Sequence, residues 1–217
     1  MTNVTPFSAV IRRQTRTQHS QAEATGFLTD LLSGAGTAED YAAMVAQHFF
    51  IYRALETAAE TMKNDPVAAP FITPQLTRLP AIRADLEFLI GPDWEDQVSP
   101  LPATIAYVER IEQVAAVWNG GFVAHHYTRY LGDLSGGQMI KELLQKHYGF
   151  DTNGVGFYIF AEVADPTVFK DAYRAQLDKA PRTEAEKERV LAEVVVSYGL
   201  NSALFDDLGT ARAEAIA

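Results

Sequence analysis

The chain has no cysteine among its 217 residues, which excludes disulfides, thiolate nucleophiles and iron–sulfur ligation. That fits a reducing compartment, and a cytoplasmic protein is the expectation. No apolar run approaches the roughly 20 residues that span a bilayer. Residues 1–10 lack a basic region ahead of an apolar stretch, and the residues after Asp206 are few and polar, so neither a signal peptide nor an anchor is expected. Positive charge is scarce: 18 Lys and Arg stand against 28 Asp and Glu, for a net −10. A general affinity for nucleic acid or anionic membrane is therefore not expected. The five histidines (His19, His48, His125, His126 and His147) form no HExxH and no close pair on one helical face. Paired ExxH motifs are missing too, so zinc hydrolase and di-iron chemistry drop out. So do GK[ST], GxGxxG and GxSxG, and with them the usual nucleotide and serine-hydrolase sites.

What remains is helical periodicity, with no alternating run that reads as a strand. A hydrophobic share of 47% is enough for a sizeable core. Thr5-Pro6 opens a first helix, predicted to run to about Thr25, with an interruption at Gly26-Phe27-Leu28. Thr37 with Asp40 reads as a capping box for a long helix ending near Asn64-Asp65-Pro66. Its stripe of Tyr41, Met44, Val45, His48, Tyr52 and Leu55 is predicted to face the core. A proline-broken stretch follows, with short helical pieces around Thr77–Leu89. Ser99-Pro100 starts a helix to about Trp118, and Asn119-Gly120-Gly121 is read as the separator before the next. After Tyr148-Gly149-Phe150 comes an irregular link with Phe157, Tyr158 and Phe160, expected to pack in the core. Asp165-Pro166 caps a further helix, and Thr183 with Glu186 opens a last one to about Leu208. No linker or repeat divides the chain, so one all-α domain is expected.

Two segments carry chemistry. In Tyr127-Thr128-Arg129-Tyr130-Leu131-Gly132-Asp133-Leu134-Ser135-Gly136-Gly137-Gln138, glycines sit inside an otherwise helical sequence, although each costs about 1 kcal/mol relative to Ala. Gly132 and Gly136 lie four apart and share a face, so something flat can approach the backbone there. Arg129 and Asp133, also four apart, place charge beside that bare surface. In Arg12-Arg13-Gln14-Thr15-Arg16-Thr17-Gln18-His19-Ser20-Gln21-Ala22-Glu23, Glu23 follows His19 by one helical turn. A carboxylate so placed can orient a metal-bound imidazole; the same spacing also suits a plain solvated pair. Arg12 and Arg16, like Lys170 and Arg174 later, form basic clusters against the acidic background.

The twelve-residue string resembles the distal-helix signature of heme oxygenases, and the His19 segment resembles their proximal helix, in the same order along the chain. The likeness continues through Phe169-Lys170-Asp171-Ala172-Tyr173-Arg174 to Asn201-Ser202-Ala203-Leu204-Phe205 and so spans most of the chain. It implies a single all-α, heme oxygenase-like domain over residues 1–217, with a short polar tail at about 209–217. Heme b would lie between a proximal helix and a kinked, glycine-rich distal helix. As the resemblance has it, heme is both substrate and cofactor, with His19 on the iron and Glu23 orienting it. Arg12, Tyr127, Lys170 and Arg174 meet the propionates, and Gly132, Ser135 and Gly136 line the distal face. Asp133 and Arg129 order the waters that deliver protons, with Tyr52 and Asn201 in the same polar network. The products are biliverdin, ferrous iron and carbon monoxide, formed with O2 and electrons from ferredoxin, flavodoxin or a flavoprotein reductase.

Arg16, with Arg13 and Lys179, would face that donor. Several relatives carry lysine where this chain has Arg12 and Arg16, a change that keeps charge but alters hydrogen-bond geometry. A monomer is expected. A non-catalytic heme carrier or sensor, and a heme-free helix-packing module, are the competing readings. His125, His126, His48 and His147 are all read as structural or solvent-facing.

Overall fold

A computed structural model describes residues 5–180 and 182–216, with the backbone alone described at Gln21, Ala22, Glu23 and Ile216. Among the described residues there is no strand. The order is α1 (Phe7–Gln14), α2 (Arg16–Glu23), α3 (Gly26–Ser33), α4 (Ala38–Met62), α5 (Leu79–Leu89), α6 (Pro102–Val117), α7 (Asn119–Tyr148), α8 (Pro166–Lys179) and α9 (Glu184–Ile216). The long helices α4, α7 and α9 form the centre. α7 packs on α9, α4 on α5 and α6, and α2 on α9, while α1 leans on α8.

Local chemistry explains where the helices start. Thr37 Oγ1 accepts from Asp40 N–H at 3.1 Å, and Asp40 accepts from Thr37 N–H at 2.8 Å, the reciprocal box that the sequence predicts. The stripe of Tyr41, Met44, Val45, His48, Tyr52 and Leu55 is buried along its whole length. Asp165 caps α8 by accepting from Thr167 and Val168 N–H.

Several boundaries differ from expectation. The first helix is two: α1 ends at Gln14 and α2 begins at Arg16, because Thr15 Oγ1 donates back to Ile11 O at 2.9 Å and its own carbonyl accepts from His19 N–H at 3.0 Å. Such back-bonding bends a helix. Pro6 is the cap residue, not the first helical one. Gly26-Phe27-Leu28 does not interrupt but opens α3, because Phe27 and Leu28 are core residues. The helix predicted from Ser99-Pro100 begins at Pro102. Asn119-Gly120-Gly121 belongs to α7, and Trp118 alone, with extended φ −156° and ψ 101°, makes the break. The helix packs so closely there that a Cβ on Gly121 would lie 2.5 Å from the Trp118 ring. In place of the expected polar tail, residues 209–216 continue α9, tied back by Arg212 to Asp30. Thr183 accepts from Glu186 N–H at 3.2 Å, but the Glu186 carboxylate turns to Trp118 Nε1 instead of completing a box.

The irregular link after α7 is held from below. Arg78 donates to Phe157 O at 3.2 Å and to Ile159 O at 2.8 Å. Asp85 accepts from Gly156 and Phe157 N–H at 2.9 and 2.7 Å. Phe157, Tyr158 and Phe160 are thereby buried, as predicted, Phe157 against His48 and Tyr52 of α4, Tyr158 against Gly137 of α7 and Phe160 under Arg78. Below the glycines of α7 there is thus a fixed aromatic floor.

Candidate functional site

α1, α2, α7, α8 and α9 enclose a cleft of about 770 Å³. His19 on α2 forms one wall; Tyr127, Thr128, Leu131, Gly132 and Ser135 on α7 form the opposite one. Tyr198 of α9 closes the back, its ring 5.7 Å from that of His19 and edge-on to it. The rim carries Arg12, Arg13, Arg16 and Arg174, and none of the described residues lining the cleft is acidic. In a chain of net charge −10, this is a deliberate concentration of cations. Lys170 stands beside it, donating to Leu134 O and Ser135 Oγ, both at 3.3 Å. Partial burial and the neighbouring Arg174 lower its ammonium below the ordinary range, against the opposing pull of Asp171. Burial raises the Tyr127 phenol while Arg174 and Arg12 pull it down, so that phenol lies within the field of both arginines.

The cleft leads inward to a chamber of about 110 Å³, which shares His19, Thr128, Gly132 and Tyr198 with it. Its further lining includes His48, Arg129, Asp133, Gly136, Gly137, Tyr158 and Asn201. The glycines divide the labour. A Cβ on Gly132 or Gly136 would meet nothing within 4 Å, whereas one on Gly137 would strike the Tyr158 ring at 2.8 Å. α7 remains a continuous helix through all three. Gly137 lets the helix sit on its aromatic floor; Gly132 and Gly136 leave open space toward the cleft.

Asp133 is the chamber's acid. Tyr52 OH donates to its Oδ2. Burial raises the Asp133 carboxyl, outweighing Arg129, the Tyr52 bond and Arg78, which act in the opposite direction. Arg129 and Asp133 lie one turn apart but do not bond each other. Arg129 Nη1 instead donates to Asn201 Oδ1 at 2.5 Å, and its guanidinium lies 5.1 Å over the Tyr52 ring. Burial works against the Arg129 charge, but Tyr52 and Asp133 more than restore it, so its pKa moves up. Arg129 therefore acts on Asp133 through its field, and Tyr52 through a bond.

Of the residues singled out from sequence, His19, Arg12, Arg16, Tyr127, Gly132, Ser135 and Arg174 meet in the cleft, and Arg129, Asp133, Gly136 and Asn201 in the chamber. Tyr52 reaches Asp133 from below, and Lys170 flanks Ser135. The Glu23 side chain lies outside the described residues. Lys179 is exposed and is not among the residues lining the cleft. His125 and His126 are buried, not solvent-facing: His125 Nε2 bonds Glu193 at 2.9 Å and His126 Nδ1 bonds Tyr173 OH at 2.8 Å. His147 is exposed at the end of α7. Sequence reasoning missed Tyr198, Tyr158 and His48 as lining residues. Tyr198 lies three positions before Asn201 on one helix, a spacing that signals a shared face.

The heme oxygenase family profile matches residues 5–207. Heme oxygenase 1 of Synechocystis is 36% identical over 198 residues, covering 91% of this chain and 82% of the relative. Heme oxygenase 1 of Rattus norvegicus is 37% identical over 204 residues, covering 93% of this chain and 71% of the relative. Among solved structures, Synechocystis heme oxygenase-1 in complex with heme superposes with a TM-score of 0.92 at 34% identity, covering 98% of this chain and 96% of that one. Heme oxygenase from Leptospira interrogans gives 0.89 at 32% identity, covering 93% and 98%.

Proposed function

The chain belongs to the heme oxygenase family, and from that premise we propose that it opens heme oxidatively to biliverdin, ferrous iron and carbon monoxide, with O2 and an external electron donor. The observation that carries the reading is the pairing of His19, across a cation-rimmed cleft, with a helix face that Gly132 and Gly136 leave bare. The residues present fit heme. A flat apolar ring needs a wall without side chains, two propionates need cations, and both are here together.

Bound heme supplies the iron at which O2 is activated and the ring that is opened. The chain's own residues do the rest. His19 would hold the iron, and Glu23, one turn on in sequence, would orient its imidazole. Arg12, Tyr127, Lys170 and Arg174 hold the propionates and so fix the rotation of the ring. Gly132, Ser135 and Gly136 would let the backbone of α7 approach a face of the ring. Asp133, raised by burial, takes up and releases a proton closer to neutral pH than an ordinary aspartate. Tyr52 fixes its Oδ2, while the Arg129–Asn201 pair holds the polar wall of the chamber in place. Removing Asp133 should therefore spare heme binding and stop ring opening.

Exposed Arg13, Arg16 and Lys179 would offer a basic face to an acidic electron carrier, whether ferredoxin, flavodoxin or a flavoprotein reductase. No described helix is long and apolar enough to cross a membrane, and one chain encloses the whole cleft. We propose, as a further part of this reading, that the protein acts as a monomer in the cytoplasm. The decisive experiment is an absorption time course of the heme-reconstituted protein given reductant, O2 and catalase. Loss of the Soret band with growth of biliverdin and trappable ferrous iron is expected. A stable porphyrin under a competent donor would make it a carrier or sensor.

A further inference from the structure

His48 lies at the centre of α4, 4% exposed, and lines the inner chamber. Its ring is wedged between Phe157, 5.2 Å away, and Tyr52, 6.4 Å away. Among the described residues neither imidazole nitrogen has a hydrogen-bond partner, and the Nε of Arg129, which lines the same chamber, has none either. Leaving a buried polar group unsatisfied costs about 1–3 kcal/mol. Both residues line one small space, and a leucine would fill the position of His48 without that cost. Burial and the field of Arg129 push the imidazole well below its usual pKa, so it is neutral, with one donor and one acceptor nitrogen.

We propose that His48 is a positioning residue that anchors an ordered water chain in the inner chamber, running past Arg129 Nε toward the Asp133 carboxyl. The space suffices: one water needs roughly 10–15 Å³ of such volume, and the chamber offers about 110 Å³. The chemistry also matches. A water can accept from Arg129 Nε–H and donate to the free lone pair of the imidazole, while the imidazole N–H passes to a second water. Asp133 and Asn201 line the same wall and terminate the chain with acceptors. The site thus takes small molecules that both donate and accept hydrogen bonds, and water is the occupant of the resting protein. The presence of the water follows from the chamber alone; its service to an iron-bound ligand rests on the heme reading above.

Two measurements test this. A high-resolution crystal structure of the heme-free protein should show ordered water within hydrogen-bond distance of a His48 nitrogen, lost in His48→Leu and kept in His48→Gln. In the ferric heme complex, azide is the probe. His48→Leu should leave heme affinity unchanged and weaken azide about three- to tenfold, the worth of one hydrogen bond; His48→Gln should restore most of it. A dry chamber around His48, or azide affinity equal in the wild type and His48→Leu, overturns the proposal. If no heme complex forms at all, the functional reading fails separately, and the heme-free crystals alone decide whether His48 holds water.

Discussion

Adjacent glycines on α7 should respond to the same methyl group in opposite ways. At Gly136, an added Cβ meets nothing within 4 Å. Replacing a helical Gly by Ala then gains about 0.5–1 kcal/mol, through helix propensity and a less disordered unfolded state. For a chain of this length, 1 kcal/mol corresponds to roughly 2–4 °C in Tm, so Gly136→Ala should melt a degree or more above the wild type when heme-free. At Gly137 the Cβ lies 2.8 Å from the Tyr158 ring, which is itself buried and tied through its carbonyl to Gln138 at 2.8 Å. Overpacking of this kind costs about 1–3 kcal/mol, more than the propensity gain, so Gly137→Ala should melt lower. Function should run the other way at Gly136, because the methyl occupies space reserved for the ligand. Heme affinity should fall and biliverdin formation drop at least tenfold despite the higher Tm. The assays are thermal unfolding of the heme-free protein, a Soret titration and a biliverdin time course. A Gly136→Ala protein that melts below the wild type, or that turns over heme at the wild-type rate, would refute the assignment of open space to that face.

Three further outcomes follow from the same geometry. Tyr52→Phe removes a bond that pulls the Asp133 carboxyl down, so the acidic limb of the pH–rate profile should move to higher pH and turnover fall several-fold; an unmoved profile would rule out the coupling. Arg174→Ala removes a rim cation, so heme should bind on the order of tenfold more weakly, with the effect shrinking at high salt; unchanged affinity would exclude it as a propionate partner. Burial pushes the Glu193 carboxyl up, but hydrogen bonds from His125 and Arg110 outweigh this and hold it at about 2, below the ordinary 4.5. A depressed carboxyl gives stability that is present above the unfolded value and lost as pH falls through the folded one, here between about pH 5 and pH 2, on the order of 3 kcal/mol. Glu193→Gln should therefore be less stable than the wild type at pH 7, and the gap should narrow in urea titrations repeated toward pH 3; a gap independent of pH would refute the linkage.

How much of this was legible in the chain depends on whether a feature is local. The capping box at Thr37 and the stripe on α4 follow from spacings within one helix, and there sequence and structure agree; at Thr183 only half the box forms, because the Glu186 carboxylate meets Trp118 from another part of the chain. The break at Thr15 is local too, but a lone threonine is ambiguous: its spacing alone does not say whether the hydroxyl folds back on Ile11 O, as it does here where α2 turns against α9. Gly209 reads as a stop until Arg212 finds Asp30 across 182 residues of sequence.

The site divides in the same way. Gly132 and Gly136 share a face by spacing alone, but that Gly137 serves packing requires Tyr158, delivered by a link that Arg78 and Asp85 pin in place. Arg129 and Asp133 are correctly placed one turn apart, yet α4 and α9 decide their partners, supplying Tyr52 to one and Asn201 to the other. His48 is the limiting case. Helical spacing puts it on the buried stripe of α4, and for a leucine that would complete the account. For an imidazole it leaves two polar atoms unassigned, and only the chamber opposite shows why the position tolerates them. The part of this site that sequence conceals is thus the part built across helices, where an unmet hydrogen bond marks the place reserved for something that is not protein.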